Sequence, residues 1–302
     1  MTHGDGHKAA GVGYAAAAYL AWGVFPLYFR SLAGVPPLEI LAHRIVWSAV
    51  FLVLLLTVRR RWDGVLAELL SPGTLPRLAL SAVFISANWL TYIWAVNSGH
   101  VLDASLGYFV NPLVTVLLGV VFLREPLTAR QRVALALAAA GVASLVIRAH
   151  RLPGIALALA LTFGLYGLVR KRVPVRATSG LLAEVMLLAP LALAWLAWLG
   201  HAGTAHFGAG PRLTLLLASA GAVTAVPLIW FALGVQRLRL STIGILQYLN
   251  PTLQLAIAVF AFGERFTAGH ALAFGCIWAA LGIYTVDALR PPVARTVPAV
   301  ER

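Results

Sequence analysis

The chain is poor in cysteine and in charge, and each shortage excludes a class of protein. Its one cysteine, Cys276, rules out an intramolecular disulfide framework and a cysteine-based metal site. Cys276 lies in an apolar run, where we expect a small packing residue. Charged residues make up only 11% and hydrophobic residues 61%, whereas an ordinary soluble domain is about 45–50% apolar. With a mean hydropathy of +0.87, the sequence predicts an integral membrane protein.

Catalytic and nucleotide-binding motifs are also missing. There is no HExxH zinc motif, no Gly-Lys-Ser/Thr phosphate loop, and no serine or cysteine placed with a histidine as a dyad. These absences argue against an enzyme and against an ATP-driven pump, and we expect no cofactor and no metal. The net charge is +13, but the basic residues stand in short gaps between apolar runs. No basic patch with interleaved aromatics remains for nucleic acid, and membrane lipid is the expected surrounding.

Long apolar runs are abundant. A membrane-crossing helix needs about 20 apolar residues, and ten runs approach or exceed that length. The first, near 11–30, exceeds the apolar core of about 7–15 residues of a signal peptide and lacks a clear cleavage site, so we interpret it as a retained helix. The others are predicted near 39–58, 76–97, 103–123, 129–148, 153–170, 179–199, 212–235, 242–262 and 268–286. The predicted fold class is an all-α polytopic membrane protein with ten transmembrane helices.

Local signals mark several helix ends. Thr128 and Gln131 have the spacing of a capping box, in which each side chain bonds the other's backbone N–H. Asp103, Ser241 and Thr267 are predicted N-caps, because a short polar side chain can accept from the free N–H groups of a first turn.

One element occurs twice in the chain. A shift of 139 positions places Asn250-Pro251 on Asn111-Pro112, and Glu264 on Glu125 by the same shift. Five helices in each half are an odd number, so the second half enters the membrane in the opposite orientation, which predicts an inverted repeat. The predicted units are a tail over 1–10, a first repeat over 11–150, a second over 151–288 and a tail over 289–302.

Pro112 and Pro251 are predicted to kink their helices. A proline inside a helix removes a donor and pushes away the carbonyl four residues earlier, here that of Tyr108 or Gln247. Within a membrane such a carbonyl is tolerated only where it is buried in protein or lines a cavity. Interrupted segments at matching positions of two halves point to a transporter's binding site. A packing kink shared by any duplicated helix is the open alternative.

Lysine and arginine indicate the orientation, because cytoplasmic loops carry the excess. If the N-terminus is inside, most basic residues fall in the inner segments. The outer loops then hold only Arg30, Arg148, Arg151, Arg212 and Arg265. We therefore predict that both termini are cytoplasmic.

Ionisable residues within spans are candidate substrate or coupling groups, because they are costly in lipid. Arg44 could hold an anionic substrate group, or its side chain could snorkel to the interface. Its neighbour His43 could titrate near neutral pH or be structural. Glu184 could relay protons or bind a substrate amine; an ion pair with Arg44 and an interfacial position are the alternatives.

Uncharged polar and aromatic residues complete the candidate site. Asn88 and Tyr92 share a helix face at i,i+4 spacing. The remaining candidates flank the two Asn-Pro pairs: Tyr108, Asn111, Gln247 and Asn250. Each aromatic residue, taken singly, fits the membrane interface or helix packing equally well.

Small residues recur every four positions in the fifth and tenth predicted helices: Ala136, Ala140 and Ser144, and Ala271, Gly275 and Ala279. Such stripes allow close helix approach. We favour scaffold contacts, and a homodimer face stays open.

Three stretches carry a family resemblance: EILAHRIVWS at 39–48, NWLTYIWAVNSGHVLDASLGYFVNPL at 88–113 and QYLNPTLQLAIAVFAFGE at 247–264. They resemble the RarD proteins, in the EamA-like branch of the drug/metabolite transporter superfamily, and the similarity extends over about 11–286. The resemblance implies two inverted five-helix EamA-like repeats in the bacterial cytoplasmic membrane. It implies transport of small metabolites or drug-like solutes, with proton coupling open and no binding residue assigned. A non-transporting scaffold or partner subunit is the competing interpretation.

Overall fold

The computed structural model describes residues 3–32, 34–97, 101–148, 154–262 and 268–288. The described residues form thirteen helices: α1 (His3–Gly23), α2 (Phe25–Arg30), α3 (Pro37–Val58), α4 (Val65–Leu70), α5 (Thr74–Asn97), α6 (Val101–Leu123), α7 (Ala129–Arg148), α8 (Gly154–Arg172), α9 (Ala177–His201), α10 (Pro211–Arg237), α11 (Leu240–Leu246), α12 (Leu249–Phe262) and α13 (Ala268–Ala288). Glu264 and Thr267 lie outside the described residues.

All ten predicted apolar runs fall on helices, and the additional segments have local causes. The first run divides into α1 and α2 at Val24, just before Pro26, which lacks the N–H needed to continue a helix. The ninth run divides into α11 and α12 around Gln247 and Tyr248. Helix α4 is a short element in the connection between α3 and α5.

Five stretches of the described residues are long and apolar enough to cross a membrane: Gly6–Phe29, Pro37–Val58, Gly154–Arg172, Ala177–His201 and Pro211–Arg237. Shorter apolar helical stretches cover Gly107–Leu123 and Ala271–Asp287. Together with the composition, these stretches identify an integral membrane protein whose described elements are all helical.

Helix α10 packs mainly against α1 and α3. The contact with α3 is closest at Gly221, where an added Cβ would lie 2.2 Å from the carbonyl oxygen of Trp47. The Ser48 hydroxyl also donates to the Gly221 carbonyl at 3.2 Å. Only glycine allows this approach, which holds the first half of α3 against the middle of α10.

Helices α7 and α13 pack against each other, but not through the predicted stripes. The buried contact uses Ala138, Gly141 and Ile277, and the carbonyl of Ala273 lies 2.9 Å from a Cβ added at Gly141. The predicted stripe residues Ala136, Ala140, Ala271, Gly275 and Ala279 are exposed. The period of four was recognised, but the buried face lies elsewhere on each helix.

Helix ends agree with local signals only in part. The Thr128–Gln131 capping box is present, with both reciprocal bonds at 3.1 Å. Asp103 is not an N-cap, because α6 begins at Val101. Ser241 is not an N-cap either, since α11 begins at Leu240.

Candidate functional site

A cavity of about 90 Å³ lies among α1, α2, α3, α5, α6, α8, α10 and the α11–α12 break. Seven of the predicted site residues line it: Arg44, Asn88, Tyr92, Tyr108, Asn111, Gln247 and Asn250. The other lining residues are Trp22, Phe25, Phe29, Trp89, Gly107, Leu159, Phe163, Thr224, Leu228 and Gln254.

Arg44 is the charged member of the described lining. Only 6% of its surface is exposed, and its Nε donates to the Thr224 hydroxyl at 3.0 Å. The guanidinium carbon lies 4.8 Å from the ring centre of Trp89 and 5.6 Å from that of Phe29, within cation–π range. The snorkelling alternative is wrong, because α3 and α10 hold this side chain inside the bundle.

Hydrogen bonds hold the amide groups of the cavity lining. The Thr115 hydroxyl lies 3.4 Å from both the Asn111 Oδ1 and the Gln247 Oε1 and is shared between them as a donor. Across the helix break, the Gln254 Nε2 donates to the Asn250 Oδ1 at 2.9 Å. These bonds occupy the amide oxygens of Asn111, Gln247 and Asn250, so their NH₂ groups remain available as donors.

The Asn88 amide, in contrast, uses its NH₂ group in hydrogen bonds to the protein. Its Nδ2 donates to the Leu159 carbonyl at 2.9 Å and to the Thr162 hydroxyl at 3.1 Å. Both partners belong to α8, so Asn88 joins α5 to α8 at the cavity wall. Nearby, the rings of Tyr92 and Tyr108 meet edge to face with their centres 6.0 Å apart.

The two prolines act differently from each other. Helix α6 continues through Pro112, which stands inside the helix, and the kink predicted there stays a prediction. Pro251, however, stands in the first turn of α12, where a missing N–H leaves no bond unmade, so its predicted role as a mid-helix kink is wrong. The chain breaks instead at Gln247, whose carbonyl accepts from the Asn250 N–H at 3.1 Å. The carbonyl that we predicted to be free therefore has a backbone partner.

His43 lies outside the described cavity lining. Its ring stacks on Phe207, with centres 5.0 Å apart, in the connection between α9 and α10. Both ring nitrogens are buried without a hydrogen-bond partner. One turn earlier on α3, Glu39 accepts from the His206 backbone N–H at 2.6 Å and contacts its Nδ1 at 2.8 Å. The N-terminal part of α3 therefore contacts the connection between α9 and α10, and these two side chains do not line the cavity.

Glu184 also lies outside the lining, in a buried ion pair with Arg170 at 3.6 Å. The Ser81 hydroxyl donates to its Oε1, and the Tyr166 hydroxyl lies 3.4 Å from its Oε2. The alternative pairing with Arg44 is wrong, because Arg170 on α8 supplies the cation. Tyr166 connects the pair to the cavity wall, since its ring contacts Phe163 at 6.0 Å between centres.

A polar cluster around Glu125 lies just after the C-terminal end of α6. It joins the first half of the chain to the start of α11 in the second half. The Glu125 carboxylate accepts from the backbone N–H groups of Leu240 at 2.7 Å and Ser241 at 2.9 Å. This carboxylate, not the Ser241 side chain, caps α11. Arg172 adds a bond to the Phe122 carbonyl at 2.6 Å, and Arg239 donates to the carbonyl of Pro126.

Sequence reasoning missed several lining residues, of which Thr224 matters most because it orients Arg44. A threonine in an apolar helix gives no signal by itself, since its hydroxyl can bond its own backbone. Phe25 and Phe29 were missed because aromatic residues near a helix end fit the interface equally well.

Comparison with known proteins finds a family of membrane transporters. Residues 9–147 match the EamA-like transporter family. The chain is 46% identical to Protein RarD of Escherichia coli K12, over 92% of this chain and 95% of that protein. It is 43% identical to an uncharacterized transporter of Vibrio cholerae serotype O1, over 96% of each chain. The chloramphenicol-sensitive protein RarD of Pseudomonas aeruginosa is 35% identical, over 93% of this chain and 95% of that protein.

A solved crystal structure shares the fold. Its TM-score is 0.72 at 20% identity, and the match covers 93% of this chain and 99% of the other. At this identity the likeness concerns the fold alone, and the family follows from the sequence relatives. This bacterial integral membrane protein belongs to the EamA-like transporter family, and the RarD proteins are among its relatives.

Proposed function

We propose that the protein is a secondary transporter that binds a small solute in the cavity and carries it across the bacterial cytoplasmic membrane by alternating access. One observation carries the proposal. Polar side chains from both halves of the chain, including the buried Arg44, converge on one cavity within a bundle of mostly apolar helices. Polar groups within spans usually face such interior spaces, which favours transport over a scaffold without a solute.

The proposed architecture is ten transmembrane helices in two inverted repeats, with both termini cytoplasmic. Its support is the duplicated Asn-Pro element, whose asparagines Asn111 and Asn250 both line the cavity. In this arrangement α11 and α12 together form the ninth spanning element, and α1 with α2 forms the first. The arginine-rich cluster around Glu125 falls on the cytoplasmic side, as the distribution of basic residues requires.

The Glu125 cluster is the proposed cytoplasmic gate. The lining residues come from the first half of α3, the second half of α5 and the first half of α6. With both termini cytoplasmic, these halves support a cavity toward the outer side. On the cytoplasmic side, Glu125 fixes the start of α11 to the first half of the chain. Helix α11 leads directly to Gln247, so releasing its N-terminus would open the cavity inward.

Glu184 is the proposed coupling group. Protonation of its carboxylate would remove the charge that holds Arg170, and Tyr166 would transmit the change to Phe163 in the cavity wall. Proton coupling in this scheme acts through the packing of α5, α8 and α9, not through direct contact with the solute.

Cysteine accessibility tests the transport proposal, and the single native cysteine makes the experiment clean. In a Cys276→Ser background, Asn111→Cys and Asn250→Cys are each treated with a membrane-impermeant maleimide from either side of inverted and right-side-out vesicles. Alternating access predicts that both positions react, and that the reactive side changes when the gate is opened. Leu52→Cys is the matched control, because Leu52 is fully buried in the core. A scaffold would leave all three positions unreactive.

A further inference from the structure

We propose that the solute bound in this cavity is an organic monoanion, a carboxylate carried on an apolar and preferably flat body, with its anionic group on Arg44. The inference rests on the proposed transport function and adds the substrate class of the same site.

Arg44 has no counter-charge among the residues that the structure describes. A guanidinium carries five N–H donors, and here only the Nε proton has a described acceptor, the Thr224 hydroxyl. No carboxylate among the described side chains lies within 4.0 Å of it. Among the described residues the other buried arginine is Arg170, and it is paired with Glu184. A buried cation without a partner is strongly disfavoured, so the occupant of the cavity is expected to supply the negative charge.

The amide groups of the lining offer NH₂ donors rather than oxygen acceptors. Thr115 and Gln254 occupy the oxygens of Asn111, Gln247 and Asn250, as described above. The three NH₂ groups are then donors without described acceptors in the cavity lining. A solute with several acceptor oxygens satisfies such a surface, because a carboxylate accepts about four hydrogen bonds.

The charges of the described lining disfavour cationic and zwitterionic solutes. None of the described lining residues is aspartate or glutamate. An ammonium group in the cavity would therefore find no fixed negative charge, and it would lie in the field of Arg44. A single negative charge matches the described charges of the site, whereas an added positive charge on the solute does not.

The aromatic walls of the cavity favour a solute with a flat apolar body. Trp22, Phe29, Trp89 and Phe163 contribute aromatic surface to the walls. Trp22 and Phe163 already meet edge to face, with their centres 5.5 Å apart. A flat apolar body adds further aromatic contacts of this type, which stabilise by about 0.5–1.5 kcal/mol each. A small inorganic anion would leave this surface in contact with water.

Thermal stabilisation of the purified full-length protein in detergent measures the preference. The probes share two bodies, phenyl and indolyl, and differ in charge: benzoate and indole-3-acetate, their carboxamides, benzylamine, phenylalanine, and chloride as the inorganic anion. A ligand that binds only the folded state stabilises it by RT ln(1 + c/Kd), where c is the free ligand concentration, so at equal concentration the tighter ligand raises the melting temperature more. We expect at least one carboxylate to bind about tenfold or more tightly than its carboxamide, the amine and phenylalanine.

Variants assign the effect to Arg44. Arg44→Gln should weaken carboxylate binding by about tenfold or more, and Arg44→Lys should weaken it less, since it keeps the charge but loses the planar fork. Arg59→Gln, which removes a positive charge from the exposed end of α3, is the matched control and should bind as wild type. If Arg44→Gln fails to fold, Asn111→Asp provides the second test: a negative charge in the lining should abolish the preference for carboxylates.

The outcomes separate the two proposals. The substrate class is overturned if no carboxylate binds, if the carboxamide or phenylalanine binds as tightly, or if chloride alone gives the same Arg44-dependent shift. Carboxylate binding that depends on Arg44, with no solute flux in proteoliposomes, would support the anion site and contradict transport. Flux of solutes from a cell extract without carboxylate binding would support transport and contradict the anion site.

Discussion

Glu125 caps a helix to which it is not locally connected: its carboxylate lies 2.9 Å from the backbone nitrogen of Ser241, at the start of α11. The free N–H groups of a first turn and the positive end of the helix dipole both favour a negative charge there. Only 9% of Glu125 is exposed. The same contact therefore stabilises the N-terminus of α11 and holds the two halves of the chain together.

Replacing the carboxylate should loosen this connection. Glu125→Gln keeps the shape but gives up a charge-assisted bond, and we expect it to lower the free energy of unfolding by about 1–2 kcal/mol. SDS denaturation of the purified protein measures that change. The variant should also make Asn250→Cys react faster from the cytoplasmic side. Glu68→Gln, which disrupts the half-exposed ion pair with Arg176, is the matched control. Equal labelling of the two variants would contradict the gate.

The approach of α3 to α10 gives a second prediction. Gly221→Ala places a methyl group 2.2 Å from backbone atoms of Trp47, and backbone cannot rotate away as a side chain can. We expect a loss of about 1–3 kcal/mol or more from overpacking, together with weaker solute binding as Arg44 is displaced from Thr224.

Gly282→Ala is the control for that change. Nothing lies within 4 Å of an added Cβ at Gly282, in the exposed part of α13. Alanine there should be neutral or stabilise by about 0.5–1 kcal/mol, since glycine is unfavourable in a helix interior. Melting temperatures of the two variants in one detergent test the contrast, and a similar loss in both would show that the α3–α10 contact is not specially tight.

The buried ion pair of Arg170 and Glu184 gives a third prediction. Arg170→Met or Glu184→Leu alone leaves an unpaired buried charge, and each should lower the free energy of unfolding by about 3–5 kcal/mol. The double variant removes both charges and should recover most of that loss. Restored stability without restored transport would assign the pair to coupling. Restored stability with wild-type transport would show that the pair is structural and contradict the coupling role.

Features whose interacting residues lie close together in the sequence could be predicted, and contacts between distant residues could not. The Thr128–Gln131 box spans three residues, and the structure contains it as predicted. Arg44 was singled out because a charge in an apolar run is rare, and that rarity is visible without tertiary structure. Ser241 was assigned the wrong role because the group that caps α11 comes from Glu125, whose distance along the chain leaves no local pattern.

The choice of partner for Glu184 needed the packing of helices. Arg44 is an arginine inside an apolar run, whereas Arg170 stands in the basic last turn of α8 beside Lys171 and Arg172, where a charge gives no reason to expect a buried partner. In the structure, Arg170 on α8 and Ser81 on α5 both contact Glu184 on α9, while Thr224 on α10 holds Arg44 at the cavity. Glu184 consequently moves from the predicted solute site to a position behind its wall.

Thr115 gives the last prediction, because one hydroxyl orients two amides in the cavity. Its Oγ1 lies 3.4 Å from the oxygens of both Asn111 and Gln247, and Thr115 itself is outside the described lining. Thr115→Val preserves the shape but removes the donor, so both amides can rotate and present oxygen instead of NH₂. Carboxylate binding should weaken by about three- to tenfold, corresponding to about one hydrogen bond of 0.5–1.5 kcal/mol, with little change in melting temperature. Thr57→Val, at the exposed end of α3, is the matched control and should bind as wild type. Unchanged carboxylate affinity in Thr115→Val would show that the amides are oriented by other contacts.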